Sequence, residues 1–183
     1  MLRKNFMVLF IMFFLSIPAA AVEVGGVNLP DTLKDLILNG AGKRTKLGIG
    51  VYVAGLYLKQ KSNDGAKIAA ADEPMAIQLV ITSGMVSGEK METAIKEGFE
   101  NSTNGNVGPL KDKIDTFNNI FKAKVSKGDI YEFTYVPGKG VEVYKNNVLS
   151  SVIQDLDFKK ALFGIWLCDK PAQKDLKAKM LGN

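Results

Sequence analysis

Residues 40–59 read GAGKRTKLGIGVYVAGLYLK. Glycines punctuate a run that then becomes apolar on alternate and finally on all positions, so residues 43–59 read as two strands around a glycine-containing loop. If the loop is Leu47-Gly48-Ile49, Lys46 faces Gly50 and Arg44 faces Tyr52. Opposed residues of an antiparallel pair share a face, with Cβ atoms about 5 Å apart. A guanidinium and a phenol would then point into the same space. Both donate hydrogen bonds, and the guanidinium fork matches a carboxylate as an ammonium does not. Neighbouring glycines leave room for a ligand, and the adjoining strand is apolar. Arg44 and Tyr52 together read as an anion handle at the edge of an apolar cavity. The alternative is an internal pair between Arg44 and a carboxylate of the protein, with Tyr52 in the core. Arginine is scarce: apart from Arg3 near the N-terminus, Arg44 is the sole one, and lysine fills every other cationic position.

Outward from this stretch, residues 1–21 have the layout of a secretory leader: basic Arg3 and Lys4, an apolar run from Phe6 to Ile17, and Ala19-Ala20-Ala21. The apolar run is shorter than the ~20 residues a spanning helix needs, so cleavage after Ala21 is expected. Residues 22–183 then form a single exported domain, periplasmic if the source is Gram-negative, with no later membrane span. The formal net charge of +5 includes Arg3 and Lys4. Without them it is mild, and no basic run is interleaved with aromatics, which argues against nucleic acid as partner. There is no histidine. Ser-His and Cys-His nucleophilic catalysis and His-ligated zinc are therefore excluded. The one cysteine, Cys168, cannot form an intramolecular disulfide. Within FGIWLCD it reads as a small buried apolar residue rather than a reactive thiol.

The remaining chain predicts strands first and last with helices between. VEVGGVNLP reads as a hairpin turning at Gly25-Gly26, and DTLKDLILNG as a short piece that stops at Asn39-Gly40. SNDGAKIAAADE is a short helix closed by Pro74, and MAIQLVIT is a strand apolar on both faces. SGEKMETAIKEGFENS places Met91, Ile95 and Phe99 four apart behind a Ser87 cap. GPLKDKIDTFNNIFKAKV repeats the device with Leu110, Ile114, Phe117 and Phe121. Strands around turns at Pro137-Gly138 and Asn146-Asn147 follow. DLDFKKALFGIWLCD is a helix with Phe158, Leu162, Ile165 and Trp166 on one stripe, and AQKDLKAKML is a lysine-rich surface helix. This order predicts an α+β domain with helices on one face of a mostly antiparallel sheet.

Other candidate sites have simpler readings. GIGVYVAG and VPGKGVEV lack the spacing of phosphate-binding loops and read as turn or packing glycines. Asp155 and Asp157 have the residue type of a paired acid and base, yet stand where a helix cap stands. Asn101-Ser102-Thr103 matches a glycosylation acceptor, relevant only if the source glycosylates.

The stretch at 40–59 also resembles the N-terminal motif of the chalcone isomerase fold family: Gly-x-Gly-x-Arg at Gly40, Gly42 and Arg44, a hairpin, then an apolar strand ending in Gly55-Leu56-Tyr57. DFKKALFGIWLCDKPAQKDLKAKML is similar to that family's closing helix pair. The resemblance runs from about Val24 to Leu181, and exported bacterial chalcone isomerase-like domains are the group it points to. It implies an open-faced β-sandwich, a large antiparallel sheet covered by a layer of helices, with a ligand cleft between. In the isomerases of the family a phenolate oxygen adds within the substrate to close a chalcone to a flavanone. Their arginine matches Arg44. Their strand threonine falls at Tyr52, a helix tyrosine and asparagine near Met91 and Gly98, and a late threonine at about Ile165. Those replacements leave little to stabilise a developing enolate. The fatty-acid-binding branch of the fold grips a carboxylate with an arginine and a tyrosine of the next strand, which match Arg44 and Tyr52. The resemblance thus implies a protein that binds a fatty acid or other small amphipathic carboxylate, without cofactor or metal. The alternatives are an isomerase of the family's type, with Arg44 its one carried-over catalytic residue, and an envelope accessory protein that binds no ligand.

Overall fold

A computed structural model describes residues 21–183; the expected leader, apart from Ala21, lies outside the described residues. Strands β1 (Ala21–Val24) and β2 (Val27–Pro30) form a separate hairpin. Its turn is Gly25-Gly26, both at positive φ. Seven further strands form one antiparallel sheet in chain order. They are β3 (Thr32–Leu33), β4 (Leu36–Lys46), β5 (Ile49–Leu58), β6 (Met75–Ile81), β7 (Ile130–Val136), β8 (Gly140–Lys145) and β9 (Val148–Ile153). Helix α1 (Gly65–Ala70) follows β5, while α2 (Gly88–Ser102) and α3 (Lys111–Asn118) lie between β6 and β7. Helices α4 (Leu156–Leu167) and α5 (Lys174–Met180) close the chain. This is the arrangement the sequence predicts, a large antiparallel sheet with helices across one face.

Period-two burial explains which face the helices take. Tyr52, Ala54, Leu56 and Leu58 of β5 join Ile77, Leu79, Tyr131, Phe133, Val141 and Val143 of the next strands in the main core. Met91, Ile95 and Phe99 of α2 pack there, as do Phe158, Leu162, Ile165 and Trp166 of α4. Leu110, Ile114, Phe117 and Phe121 are buried as their spacing predicts, although the segment is not one helix. Turns of 3₁₀ helix, Gly108–Leu110 and Asn119–Lys122, flank α3. Phe117 lies within 5.3–6.1 Å, centroid to centroid, of Phe99, Phe121, Phe133 and Phe158, within range for favourable edge and tilted aromatic packing.

The opposite face is covered in part. Leu29 of the hairpin is fully buried, and the Tyr57 hydroxyl donates to the Pro30 carbonyl at 3.1 Å. Lys34 reaches Glu132 at 2.9 Å and Glu142 at 3.6 Å, so two mostly buried carboxylates keep a cationic partner. This cover accounts for a β6 that is apolar on both faces. At the other end of the core, Lys159 of α4 is wholly buried. Its Nζ donates to the carbonyls of Ile68, Ala69 and Ala71 at 3.1, 2.9 and 2.6 Å. An internal ammonium thus satisfies the C-terminal end of α1.

Several local expectations are corrected. The chain does not stop at Asn39-Gly40: β4 runs through it with Asn39 as an extra, bulged residue. The Asn39 amide donates to the carbonyls of Ser62 and Met180 at 2.9 and 2.8 Å and accepts from the Ser62 amide at 2.8 Å. These bonds tie the bulge to the C-terminus. Helix α5 is no mere surface helix, because Leu176 and Met180 are buried against β4. Gly40 and Gly42 make that contact possible: a Cβ on Gly40 would collide with the Lys179 and Met180 carbonyls, and one on Gly42 with the Lys179 and Leu176 side chains. Their smallness admits α5, and does not clear space for a ligand. Cys168 is only half-buried, as the C-cap of α4, where the stripe that buries Trp166 has ended.

Candidate functional site

The β4–β5 turn contains two residues, Leu47 and Gly48, at φ of 52° and 77°. Lys46 therefore pairs with Ile49 and Thr45 with Gly50, one residue off the expected register. A bulge between Arg44 and Thr45 absorbs Val51, and Arg44 faces Tyr52 as expected. The pairing is recovered through a shorter loop and an added bulge. Both side chains lie on the helix-covered face, since Tyr52 belongs to the main core.

Tyr52 is 1% exposed, while Arg44 is partly exposed at the rim. Arg44 Nη1 lies 3.5 Å from the Tyr52 hydroxyl, and the guanidinium carbon lies 5.6 Å from the centre of the Tyr52 ring. Trp166 Nε1 donates to the same hydroxyl at 2.9 Å. With two N–H donors directed at its oxygen, the Tyr52 hydroxyl keeps its own proton for a third partner. Among the described residues no carboxylate lies within ion-pair distance of Arg44. The internal-pair alternative is thus not realised there, although its second half holds, since Tyr52 is a core residue.

Behind this pair lies a cleft between sheet and helices. Met91, Ala94 and Ile95 of α2 form one wall, Phe117 and Phe121 another, and Leu79, Phe133, Ile165 and Trp166 the remainder. Its volume is about 20 Å³, room for about one water molecule. The cleft is closed as it stands. Arg44, Tyr52 and Trp166 are the polar members of its lining. Two positions matched to catalytic groups, Met91 and Ile165, line it with apolar atoms. Gly98 instead lets α2 approach Ile165 of α4.

Trp166 is the site residue that sequence reasoning missed. Its place on the α4 stripe was legible, and a buried indole needs an acceptor for its N–H. Which strand residue supplies that acceptor is a tertiary fact. Asp155 and Asp157 are not a catalytic pair. Asp155 caps α4, accepting from the Asp157 and Phe158 amides at 2.6 and 3.4 Å, and pairs with Lys113 at 2.6 Å. Asp157 pairs with Lys160 at 2.9 Å. Among the described residues no group of three His, Cys, Asp or Glu side chains is placed to hold a metal, and no helix is long and apolar enough to cross a membrane.

Comparison with known proteins agrees with the fold. No match was found among curated protein sequences. Among solved structures, the chain is similar to the fatty-acid binding protein AtFAP1 of Arabidopsis thaliana. The two share 16% identity at a TM-score of 0.69, over 85% of this chain and 92% of that one. A likeness at that identity is one of fold. The family model described as chalcone isomerase-like matches residues 21–182, almost every described residue, and the chain belongs to the chalcone isomerase-like family.

Proposed function

We propose that the protein binds a fatty acid or similar amphipathic carboxylate, with the headgroup held by Arg44 and Tyr52 and the chain between the sheet and helices α2 and α4. The observation that carries this reading is the arginine itself. Arg44 meets no carboxylate of the described chain, leans on a tyrosine with a proton to give, and stands at the mouth of an otherwise apolar cleft. A surface ion pair would have needed no arginine, and a core tyrosine no guanidinium beside it. The fatty-acid binding named for the structural neighbour supports the same reading.

The closed cleft sets the energetics. Ligand pockets typically offer ~300 Å³ or more, so a chain enters only when α2 and α4 part from the sheet. A charge-assisted hydrogen bond contributes about 1.5–3 kcal/mol and each buried methylene about 0.8 kcal/mol. Opening and association offset much of this, and micromolar affinity is expected. An isomerase would need further hydrogen-bonding groups on the substrate carbonyl, and the cleft lining supplies none beyond the three polar residues named. We also propose that residues 1–21 direct export, on the leader layout of the sequence, to the periplasm in a Gram-negative source; N-terminal sequencing of protein from the periplasmic fraction tests this.

The test of binding is native mass spectrometry of residues 22–183 with lipid extraction, followed by titration with fatty acids of graded length. Arg44→Ala should fold, by circular dichroism, and lose the co-purifying carboxylate, with affinity reduced about 10- to 150-fold, the equivalent of one charge-assisted bond. A wild-type protein that arrives empty and refuses every added fatty acid overturns the reading.

A further inference from the structure

Four strand ends meet at the end of the sheet where Arg44 and Tyr52 lie. β4 ends there and β5 begins; Tyr52 pairs with Ile81 at the end of β6, and β7 begins beside it. Three exposed large apolar side chains, one of them the most exposed among the described residues, lie at this end. Leu47 at the tip of the β4–β5 turn is 94% exposed, Ile49 beside it 43%, and Met85, in the loop from β6 to α2, 61%.

Leu47 is unfavourable on two independent counts. Its side chain stands in water, and its φ of 52° is a conformation that L-residues with a branched side chain avoid. The turn has positive φ at both central positions, where Asn-Gly is the favoured pair. A residue that breaks the local rule without a packing gain in the folded chain marks a place where something else is served. The charges around it are mostly positive. Lys46 adjoins Leu47, Lys90 donates from α2 to the Met85 carbonyl at 2.9 Å, and Lys127 lies in the loop whose Gly128 amide bonds to the Ile81 carbonyl at 2.8 Å. None of these lysines has a carboxylate within ion-pair distance among the described residues. Of the acids at this end, Asp129 is taken by Lys145, while Glu89 in the first turn of α2 and Asp175 in the first turn of α5, whose preceding Gln173 accepts from the Thr45 amide, have no lysine within ion-pair distance among the described residues.

We propose that this end of the protein docks on an anionic lipid surface, with Leu47, Ile49 and Met85 entering the interface and Lys46, Lys90 and Lys127 on the headgroups. An apolar tip within a ring of lysines is complementary to a bilayer whose headgroups are negative and whose next layer is apolar. The docked orientation turns the mouth of the cleft to the bilayer, so a carboxylate with an alkyl chain passes between lipid and protein without crossing water. That consequence rests on the ligand reading above; the docking itself does not.

The experiment is sedimentation of residues 22–183, which carry every described element save Ala21 of β1, with vesicles of pure phosphatidylcholine or equimolar phosphatidylglycerol and phosphatidylcholine. Binding is expected to the anionic vesicles alone and to weaken in high salt. Leu47→Asn restores the favoured turn pair, so it should raise the midpoint of urea unfolding while lowering vesicle partitioning about tenfold. Lys46→Glu should lower partitioning by about as much, and Ile37→Asn, at the far end of β4, should not. Fatty-acid affinity measured without vesicles separates the two readings: an empty protein that still docks defeats the ligand reading alone. Wild-type protein that ignores anionic vesicles overturns the proposal. So does binding that Leu47→Asn leaves intact, which is adsorption by charge, or a Leu47-dependent dimer that ignores vesicles, which assigns the tip to a second copy of the chain.

Discussion

Replacing Tyr52 by phenylalanine removes one oxygen and leaves two donors without an acceptor. The Trp166 indole N–H, buried with its ring and 2.9 Å from that oxygen, has no solvent to turn to. An orphaned buried donor costs about 1–3 kcal/mol, against about 1 kcal/mol for an ordinary hydrogen bond whose groups can rehydrate. Arg44, at the rim and 3.5 Å away, rehydrates and adds little. Tyr52→Phe is therefore expected to destabilise by about 1–3 kcal/mol, or about 2–4 °C in Tm for each kcal/mol in a chain of this length. Trp166→Phe costs the packing of the lost ring but removes the donor. The double variant lacks both partners, so its loss should fall short of the sum of the two single losses by about 1–2 kcal/mol. Urea unfolding followed by far-ultraviolet circular dichroism measures all four proteins alike, whereas the fluorescence of the single tryptophan vanishes in two of them. Additive losses, within about 0.5 kcal/mol, would refute the claim that the indole holds the Tyr52 hydroxyl at the mouth of the cleft.

Other outcomes follow from named contacts. Gly42→Val should force α5 from β4 and cost about 1–3 kcal/mol by overpacking, seen as a lowered urea midpoint, whereas Gly48→Asn, at an uncrowded turn position of positive φ, should cost less. Burial pushes the Lys159 ammonium down from its ordinary 10.5 to about 8, with Asp72 opposing. The unfolded chain then holds the extra proton between about pH 8 and 10, so this residue makes stability rise with pH there. A Lys159→Met variant should lack that rise in urea titrations at pH 7 to 10. The hydrogen bond from Lys113 holds the Asp155 carboxyl below its usual range, against its partial burial, and the amides of Asp157 and Phe158 help. Its stabilisation is present above the unfolded carboxyl pKa and lost as pH falls through the folded one. Asp155→Ala should cost about 0.5–2 kcal/mol at neutral pH and flatten the acid limb of the stability curve.

The face each strand presents was legible because alternation along β5 and the four-residue spacing in α2 and α4 are local signals. So was the confrontation of Arg44 with Tyr52, although the loop expected for it was one residue too long. Turn length and bulge compensate each other, and a sequence shows their sum more readily than either part. What lay beyond reach depended on residues far apart in the chain. Trp166 meets Tyr52 across more than a hundred positions, and Gly42 is small for the sake of Leu176 and Lys179. From the sequence the glycines beside Arg44 read as space for a ligand, because nothing nearby in sequence announces the helix that fills that space. The closed state of the cleft was equally hidden, since it depends on how tightly α2 and α4 settle on the sheet.

The contact between α5 and β4 sets an order of events for a growing chain. Every sheet strand pairs with its neighbour in sequence, so the sheet can zip from hairpin to hairpin as it emerges. Gly40, Gly42 and the Asn39 bulge, by contrast, wait for Met180, 141 residues later. Until then the core face of an early strand stays bare, and long-range closures of this kind are the slow ones. Pulse-labelled hydrogen exchange during refolding should show the amides of α5 gaining protection after those of β6 and β7; simultaneous protection would refute the sequence of steps. The last helix of the fold is then its latch, and a ribosome that stalls before it releases a sheet with an open flank.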